Sequence, residues 1–218
     1  MEDKDISKVL TALRKAKSKW VTPAVTQVAK DSRDPFRVLI STILSLRTQD
    51  TTTAKASARL FKLASTPEQM LTIPLYELEK TIYPVGFYKN KAKTIHGICE
   101  ELINRYGSEV PEDLDKLVEL KGVGRKTANL VITLGFDKYG ICVDTHVHRI
   151  SNRLGYVKTT SPDKTEMALR EKLPKRHWKE INDLLVAFGQ NLCRPLSPMC
   201  SVCPVEEWCD RVGVTKSR

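Results

Sequence analysis

No apolar run in this chain approaches the roughly 20 residues that a membrane-spanning helix needs, which excludes a helical membrane protein. The leading residues, Met1-Glu2-Asp3-Lys4-Asp5, lack the basic and apolar regions of a secretory signal. The expected location is therefore cytoplasmic, with no targeting signal. Also missing is any alternation of apolar and polar residues long enough to define a strand, and no repeat or low-complexity segment occurs. Sheet folds and barrels are thereby excluded. Histidine is scarce, with four residues in 218.

What is abundant is positive charge. Lys and Arg outnumber Asp and Glu by 36 to 26, giving a net charge of +10 and a pI near 9.3. A polyanion is the natural partner for such a surface, and nucleic acid the commonest polyanion; a basic but unspecialised surface is the plainer alternative. The apolar fraction of 41% and charged fraction of 28% are ordinary for a globular chain, long enough for one large domain or two small ones. Of six cysteines, four fall within the last 26 residues, which suits a metal centre better than a disulfide framework.

Nearly every segment has helical period. Ile6, Val9, Leu10 and Leu13 form one stripe, with Trp20 beyond it. Asp34-Pro35 reads as an N-cap and first helical residue, Thr66-Pro67-Glu68-Gln69 as a capping box, and Ser161-Pro162 as a further start. A long helix is expected from Asn90 to Tyr106, with Ile95, Ile98, Cys99, Leu102 and Ile103 inward and Gly107 as its stop. Another should begin at Pro111 and reach Leu120, and the last long apolar segment runs from Trp178 to Phe188. The class expected is all-α, in two helical lobes. The compositional seam lies near Asp137-Lys138-Tyr139-Gly140. Cys99 and Cys142 sit among apolar residues and read as buried core thiols.

The stretch Leu120-Lys121-Gly122-Val123-Gly124-Arg125-Lys126-Thr127-Ala128 joins two of these helices. Gly122 and Gly124 allow a tight hairpin with positive φ angles and leave the backbone bare. The second helix opens with N–H groups free to meet a phosphate, and Lys126 lies in its first turn. Farther on, Asp144 precedes a helix expected to run through Arg153, where an aspartate is a routine N-cap. The cysteines Cys193, Cys200, Cys203 and Cys209 are spaced C-x6-C-x2-C-x5-C. Four thiolates suit zinc or an iron–sulfur cluster, and spacing alone leaves both open.

Together, the hairpin and its lysine, Val143-Asp144-Thr145-His146-Val147-His148-Arg149 and the cysteine spacing resemble the endonuclease III family of helix-hairpin-helix DNA glycosylases. The similarity extends through Pro35–Asp50 and through Gly86-Phe87-Tyr88-Lys89-Asn90-Lys91-Ala92. The resemblance implies a six-helix barrel bearing the hairpin over residues 28–137. It implies a second lobe, holding a [4Fe–4S] cluster, from residues 1–27 and 138–218, and it moves the preference at Cys193, Cys200, Cys203 and Cys209 from zinc to iron–sulfur. The partner implied is double-stranded DNA with a damaged or abasic nucleotide, met by a monomeric, nucleoid-associated protein. Lys126 matches the family's catalytic lysine, whose amine attacks C1′, displaces an oxidised pyrimidine and forms a Schiff base that β-eliminates. Asp144 matches the catalytic aspartate.

DNA contacts are implied for Lys121, Gly122, Val123, Gly124 and Arg125, and for Arg47, Phe87 and His146. Two of these depart from the bacterial pattern. Arg47 stands where a glutamine often fills the gap left by a flipped nucleotide, and Phe87 where a leucine wedge is common. Both side chains can still fill a hole and unstack bases.

Three other readings compete. The same scaffold could be a mismatch glycosylase removing T or U opposite G, although members with that activity often lack the lysine. A non-catalytic DNA-binding module with a structural metal would need neither Lys126 nor Asp144. Asp144-Thr145-His146-Val147-His148 also has the D-x-H-x-H form of an amidohydrolase metal site. That motif requires a barrel strand, whereas on a helix His146 and His148 point about 200° apart.

Overall fold

The computed structural model describes residues 1–218 and contains no β-strand. Twelve α-helices follow in order: α1 (Ile6–Lys17), α2 (Ala24–Ser32), α3 (Pro35–Ser45), α4 (Asp50–Leu63), α5 (Pro67–Thr72) and α6 (Leu75–Ile82). Then come α7 (Tyr88–Tyr106), α8 (Leu114–Glu119), α9 (Arg125–Leu130), α10 (Thr145–Arg153), α11 (Pro162–Lys172) and α12 (Ile181–Asn191). The all-α expectation holds. Two compact units are formed, one from Met1–Pro23 with Tyr139–Arg218, the other from Ala24–Lys138.

The Ala24–Lys138 unit is organised around α3. Asp34 caps this helix by accepting from Phe36 N at 2.9 Å, and Pro35 supplies the first helical residue. Every residue from Val38 to Leu44 is buried, so α3 is apolar nearly all round, as a central helix must be. It packs on α2, α4, α7 and α9. Thr42, buried within it, returns its hydroxyl to Val38 O at 2.7 Å and leaves no unsatisfied donor.

In the other unit α1 and α10 both pack on α12. The stripe read from the sequence, Ile6, Val9, Leu10 and Leu13, joins Ile150, Leu184 and Phe188 in one core, and the Trp20 ring stacks on Phe188 at 5.9 Å. Cys142 and Cys99 are both buried, the first here and the second on α7.

Several boundaries differ from the sequence expectation. Helix α7 begins at Tyr88 rather than Asn90, and Ile103 on it is only half-buried. Helix α8 begins at Leu114, not Pro111, because Asp113 caps it by accepting from Asp115 N and Lys116 N at 2.9 and 3.0 Å. Helix α12 starts at Ile181, three residues after Trp178. At α5 the cap is Thr66, but Gln69 reaches back to Ser65 N at 2.9 Å instead of to Thr66 N. Helices α2, α4 and α6 were not singled out from sequence. In α4 the inward face is Thr53, Ala56, Ser57 and Leu60, too small and polar to register as an apolar stripe.

One charged side chain lies inside the Ala24–Lys138 unit. Lys91 is 7% exposed. Its ammonium donates to Leu44 O at 2.9 Å, to Leu46 O and to Thr48 Oγ1 at 3.0 Å. These acceptors lie at the C-terminal end of α3, where unpaired carbonyls and the helix dipole favour a cation. Burial pushes the Lys91 pKa down from 10.5 to about 8. Between those values the unfolded chain binds more protons than the folded one, so stability rises with pH across that window. Urea unfolding of wild type and Lys91→Met from pH 7.5 to 10.5 should show the wild type gaining on the variant, by no more than about 3 kcal/mol. A pH-independent difference would contradict a buried ammonium.

Candidate active site

The turn between α8 and α9 is built on two buried side chains and one glycine. Leu120 and Val123 are buried, and Val123 N donates to Leu120 O at 2.9 Å to close the turn. Gly122 has φ +87°, and a Cβ there would stand 2.6 Å from Thr94 Cγ2 on α7. A side chain here is strained by conformation and would have to displace the Thr94 methyl. Lys121 N donates to Glu101 Oε1 at 3.3 Å, a second tie from the hairpin to α7. Gly124 corrects the sequence expectation: its φ is −92°, and a Cβ there would meet nothing within 4 Å. It is the N-cap residue of α9, in extended backbone open to any residue, and its contribution is a bare edge rather than a special angle.

Arg125 and Lys126 are the first two residues of α9, and both are exposed. Behind them Thr127, Ala128, Asn129 and Leu130 are buried, so the outward and inward sides of this one turn are sharply divided. The helix runs on into a π-helical turn at Val131–Gly135. Gly135 meets α3 there, since a Cβ would lie 3.0 Å from Pro35 Cα. The lysine is thus carried on a short helix whose far end is seated against the central one.

Arg47 and Phe87 come together. The Arg47 guanidinium lies over the Phe87 ring, 5.8 Å from its centroid. Both residues have positive φ, 51° and 58°, and both are exposed. For side chains of this size such backbone persists only where the surroundings enforce it. Gly86 allows the two loops to touch, because a Cβ there would stand 2.6 Å from Arg47 O.

In the Met1–Pro23 and Tyr139–Arg218 unit, Asp144 is the N-cap of α10 and accepts from Val147 N at 2.8 Å. That bond fixes one carboxylate oxygen. His146 Nδ1 lies 3.2 Å from Arg149 Nη2, which also donates to Cys193 O at 2.9 Å. Gly189 lets α12 approach, since a Cβ would fall 2.3 Å from His146 Nδ1. His146 and His148 have separate partners, His148 Nδ1 lying 2.7 Å from Thr165 Oγ1. No three His, Cys, Asp or Glu side chains in the chain are gathered to grip one ion.

Cys193, Cys200, Cys203 and Cys209 line one cavity, together with Phe188 and Val205. Burial pushes the Cys203 thiol up to about 11; a backbone hydrogen bond at Val205 opposes this, and the other three thiols add smaller upward pushes. Arg153, 7% exposed, donates through Nη1 to Cys193 Sγ at 3.3 Å and to Arg194 O at 2.8 Å, and through Nη2 to Pro195 O at 3.1 Å. A cation held against a sulfur, among apolar walls, fits an anionic thiolate-ligated centre.

The sequence reading did not find the supports: Thr94 and Glu101 under the hairpin, Lys91 and Gly86 under the Arg47 loop, and Arg153 beside Cys193. Two of them left a trace. Lys91 lies four residues before Ile95, on the buried stripe of α7, and Arg153 lies one turn after Arg149 on the inward face of α10.

Residues 40–175 match the model of the HhH-GPD superfamily of base excision DNA repair proteins. The chain is 48% identical over 177 residues to endonuclease III of Thermotoga maritima, covering 81% of this chain and 83% of that one. Its structure is similar, at a TM-score of 0.86 and 36% identity over 97% of both chains, to an endonuclease III trapped as a covalent intermediate with DNA. A thermostable thymine-DNA glycosylase is similar at a TM-score of 0.80 and 26% identity over 94% of both chains. The chain belongs to the HhH-GPD superfamily and, within it, to the endonuclease III family, the class of base excision repair DNA glycosylase/lyases. No helix is long and apolar enough to cross a membrane.

The two hairpin glycines should separate in stability. Gly122→Ala should lower unfolding free energy by about 1–3 kcal/mol, and Gly124→Ala by less than about 1 kcal/mol, measured by urea unfolding. Equal losses at both positions would contradict the different backbone roles.

Proposed function

We propose that this chain is a bifunctional DNA glycosylase and AP lyase that excises oxidised pyrimidines from duplex DNA. The observation that carries it is Lys126, exposed in the first turn of α9 immediately after a hairpin whose glycine edge is bare. Lys126 together with Asp144 speaks against a hairpin that only holds phosphate, since mere binding requires neither. A base in the stack is out of reach, so the nucleotide is turned out first. The Lys126 amine then attacks C1′, the C1′–N bond breaks and the base leaves. Loss of the amine proton and opening of the sugar ring give a Schiff base, and removal of a C2′ proton expels the 3′ phosphate.

Asp144 is assigned to proton transfer or to stabilising the cationic sugar. Its capping bond to Val147 N supports this role, since it orients the carboxylate. Lys121, Gly122, Val123, Gly124 and Arg125 are assigned to the DNA backbone, and His146 to a further DNA contact. Arg47 and Phe87 are assigned to the space and stack opened by the extruded nucleotide. A six-helix barrel of residues 28–137 and a cluster lobe of residues 1–27 and 138–218 are supported by the separation into two units. The setting proposed is cytoplasmic and nucleoid-associated, with the protein acting as a monomer.

Cys193, Cys200, Cys203 and Cys209 are the ligands proposed for a [4Fe–4S] cluster, which would crosslink the C-terminal segment. Their shared cavity and the Arg153 cation at Cys193 Sγ support it. Zinc is the less favoured occupant of the same four thiolates. A mismatch glycosylase is the second reading, favoured by the likeness to a thymine-DNA glycosylase; Lys126 supports the lyase over it.

Incubation with an abasic-site duplex and borohydride should give a covalent adduct with wild type and with Asp144→Asn, and none with Lys126→Gln. Wild type giving neither adduct nor strand cleavage would overturn the lyase assignment. Protein purified without oxygen should carry about four iron and four sulfide per chain, and stoichiometric zinc without iron would replace the cluster assignment.

A further inference from the structure

Arg47 and Phe87 come from separate loops, yet one buried side chain holds both. Lys91 Nζ donates to Leu44 O and Leu46 O, just before Arg47, and to Thr48 Oγ1, just after it. Its own N–H donates to Phe87 O at 3.0 Å. Thr48 Oγ1 accepts from Gly86 N at 3.2 Å as well, so the same hydroxyl joins the second loop. The Gly86 backbone meets Arg47 O with no room for a Cβ. Two exposed residues in left-handed backbone, one stacked on the other, thus sit above a buried, fully partnered cation.

We propose that Lys91, through Thr48, is a positioning residue that makes Arg47 and Phe87 a single wedge for the DNA base stack. This rests on the assignment of those two residues to the opened stack under the proposed function. A wedge must resist the restoring force of stacked bases, and a pair of loop residues in strained backbone resists it only if the loops cannot yield. Lys91 supplies that stiffness from inside the fold. It touches neither DNA nor the reacting atoms, so its effect should appear only where a stack has to be opened.

Two substrates separate this from a general structural role. The first is a duplex with 2-aminopurine beside a tetrahydrofuran abasic analogue, whose fluorescence rises on unstacking without any chemistry. The second is a natural abasic site, presented in a duplex and in a single strand, with borohydride trapping. Lys91→Met and Thr48→Val should each lose most of the fluorescence rise and slow single-turnover trapping on the duplex about tenfold or more, roughly the scale expected of a misplaced site. Trapping on the single strand should stay within about twofold of wild type for both. In an Arg47→Ala/Phe87→Ala background, adding Lys91→Met should change the duplex rate by less than about twofold, the non-additivity of groups acting as one unit.

An undiminished fluorescence rise in both variants would overturn the proposal. So would equal losses on duplex and single strand, or full multiplication of effects in the triple variant. If Lys91→Met does not fold, Thr48→Val alone decides, since it removes the shared hydroxyl at nearly constant volume. Wild type forming no adduct with the natural abasic site, in duplex or in single strand, would instead remove the lyase assignment, while the fluorescence comparison still decides on the wedge.

Discussion

The close approach of the Gly122 backbone to Thr94 on α7 is the constraint on which the rest of the site depends. Because no Cβ intervenes, the chain turns within three residues, and Leu120 and Val123 are both buried beneath the turn. Helix α9 must then begin at Arg125, with its buried residues against α3 and Lys126 facing out. Shifting the turn by one residue would rotate the lysine by about 100° around the helix, toward the exposed direction of Arg125 or the buried one of Thr127. Glycine at this position is therefore a statement about where an amine points.

The same economy recurs at the other functional positions. Asp144 is at once an N-cap and the proposed catalytic carboxylate, and the bond to Val147 N serves both ends. Arg153 donates to the Cys193 sulfur and fastens two carbonyls of the loop that follows it. Lys91 ends α3 and ties two loops. In each case a group required for folding also determines how rigidly a neighbouring group is held, which is what a site needs when its geometry must survive contact with a large substrate.

Much of this was legible in the chain. Capping residues at Asp34 and Asp144 mark helix starts by a local hydrogen bond, whereas the cap at Asp113 was passed over for Pro111; the hairpin's two glycines and the four cysteines are separated by readable spacings. Less legible were helices whose inward faces are small, such as α4 with Thr53, Ala56 and Ser57. The special role of Gly122 over Gly124 was hidden because both are glycine, and what distinguishes them is the positive φ of Gly122 and the proximity of Thr94, 28 positions upstream in sequence. Likewise Lys91 reads as one more surface cation in a chain with 36 Lys and Arg, until its three oxygen partners are seen. Long-range support does not write itself into local pattern.

The central claim is that the hairpin is a mount for a nucleophile at Lys126. It is tested most directly by locating the bond: trap the wild-type protein on an abasic-site duplex with borohydride, digest both components, and identify the modified peptide by mass spectrometry. The nucleotide remnant should sit on Lys126. Its appearance instead on Lys121, on the N-terminal amine or spread over several lysines would contradict the account.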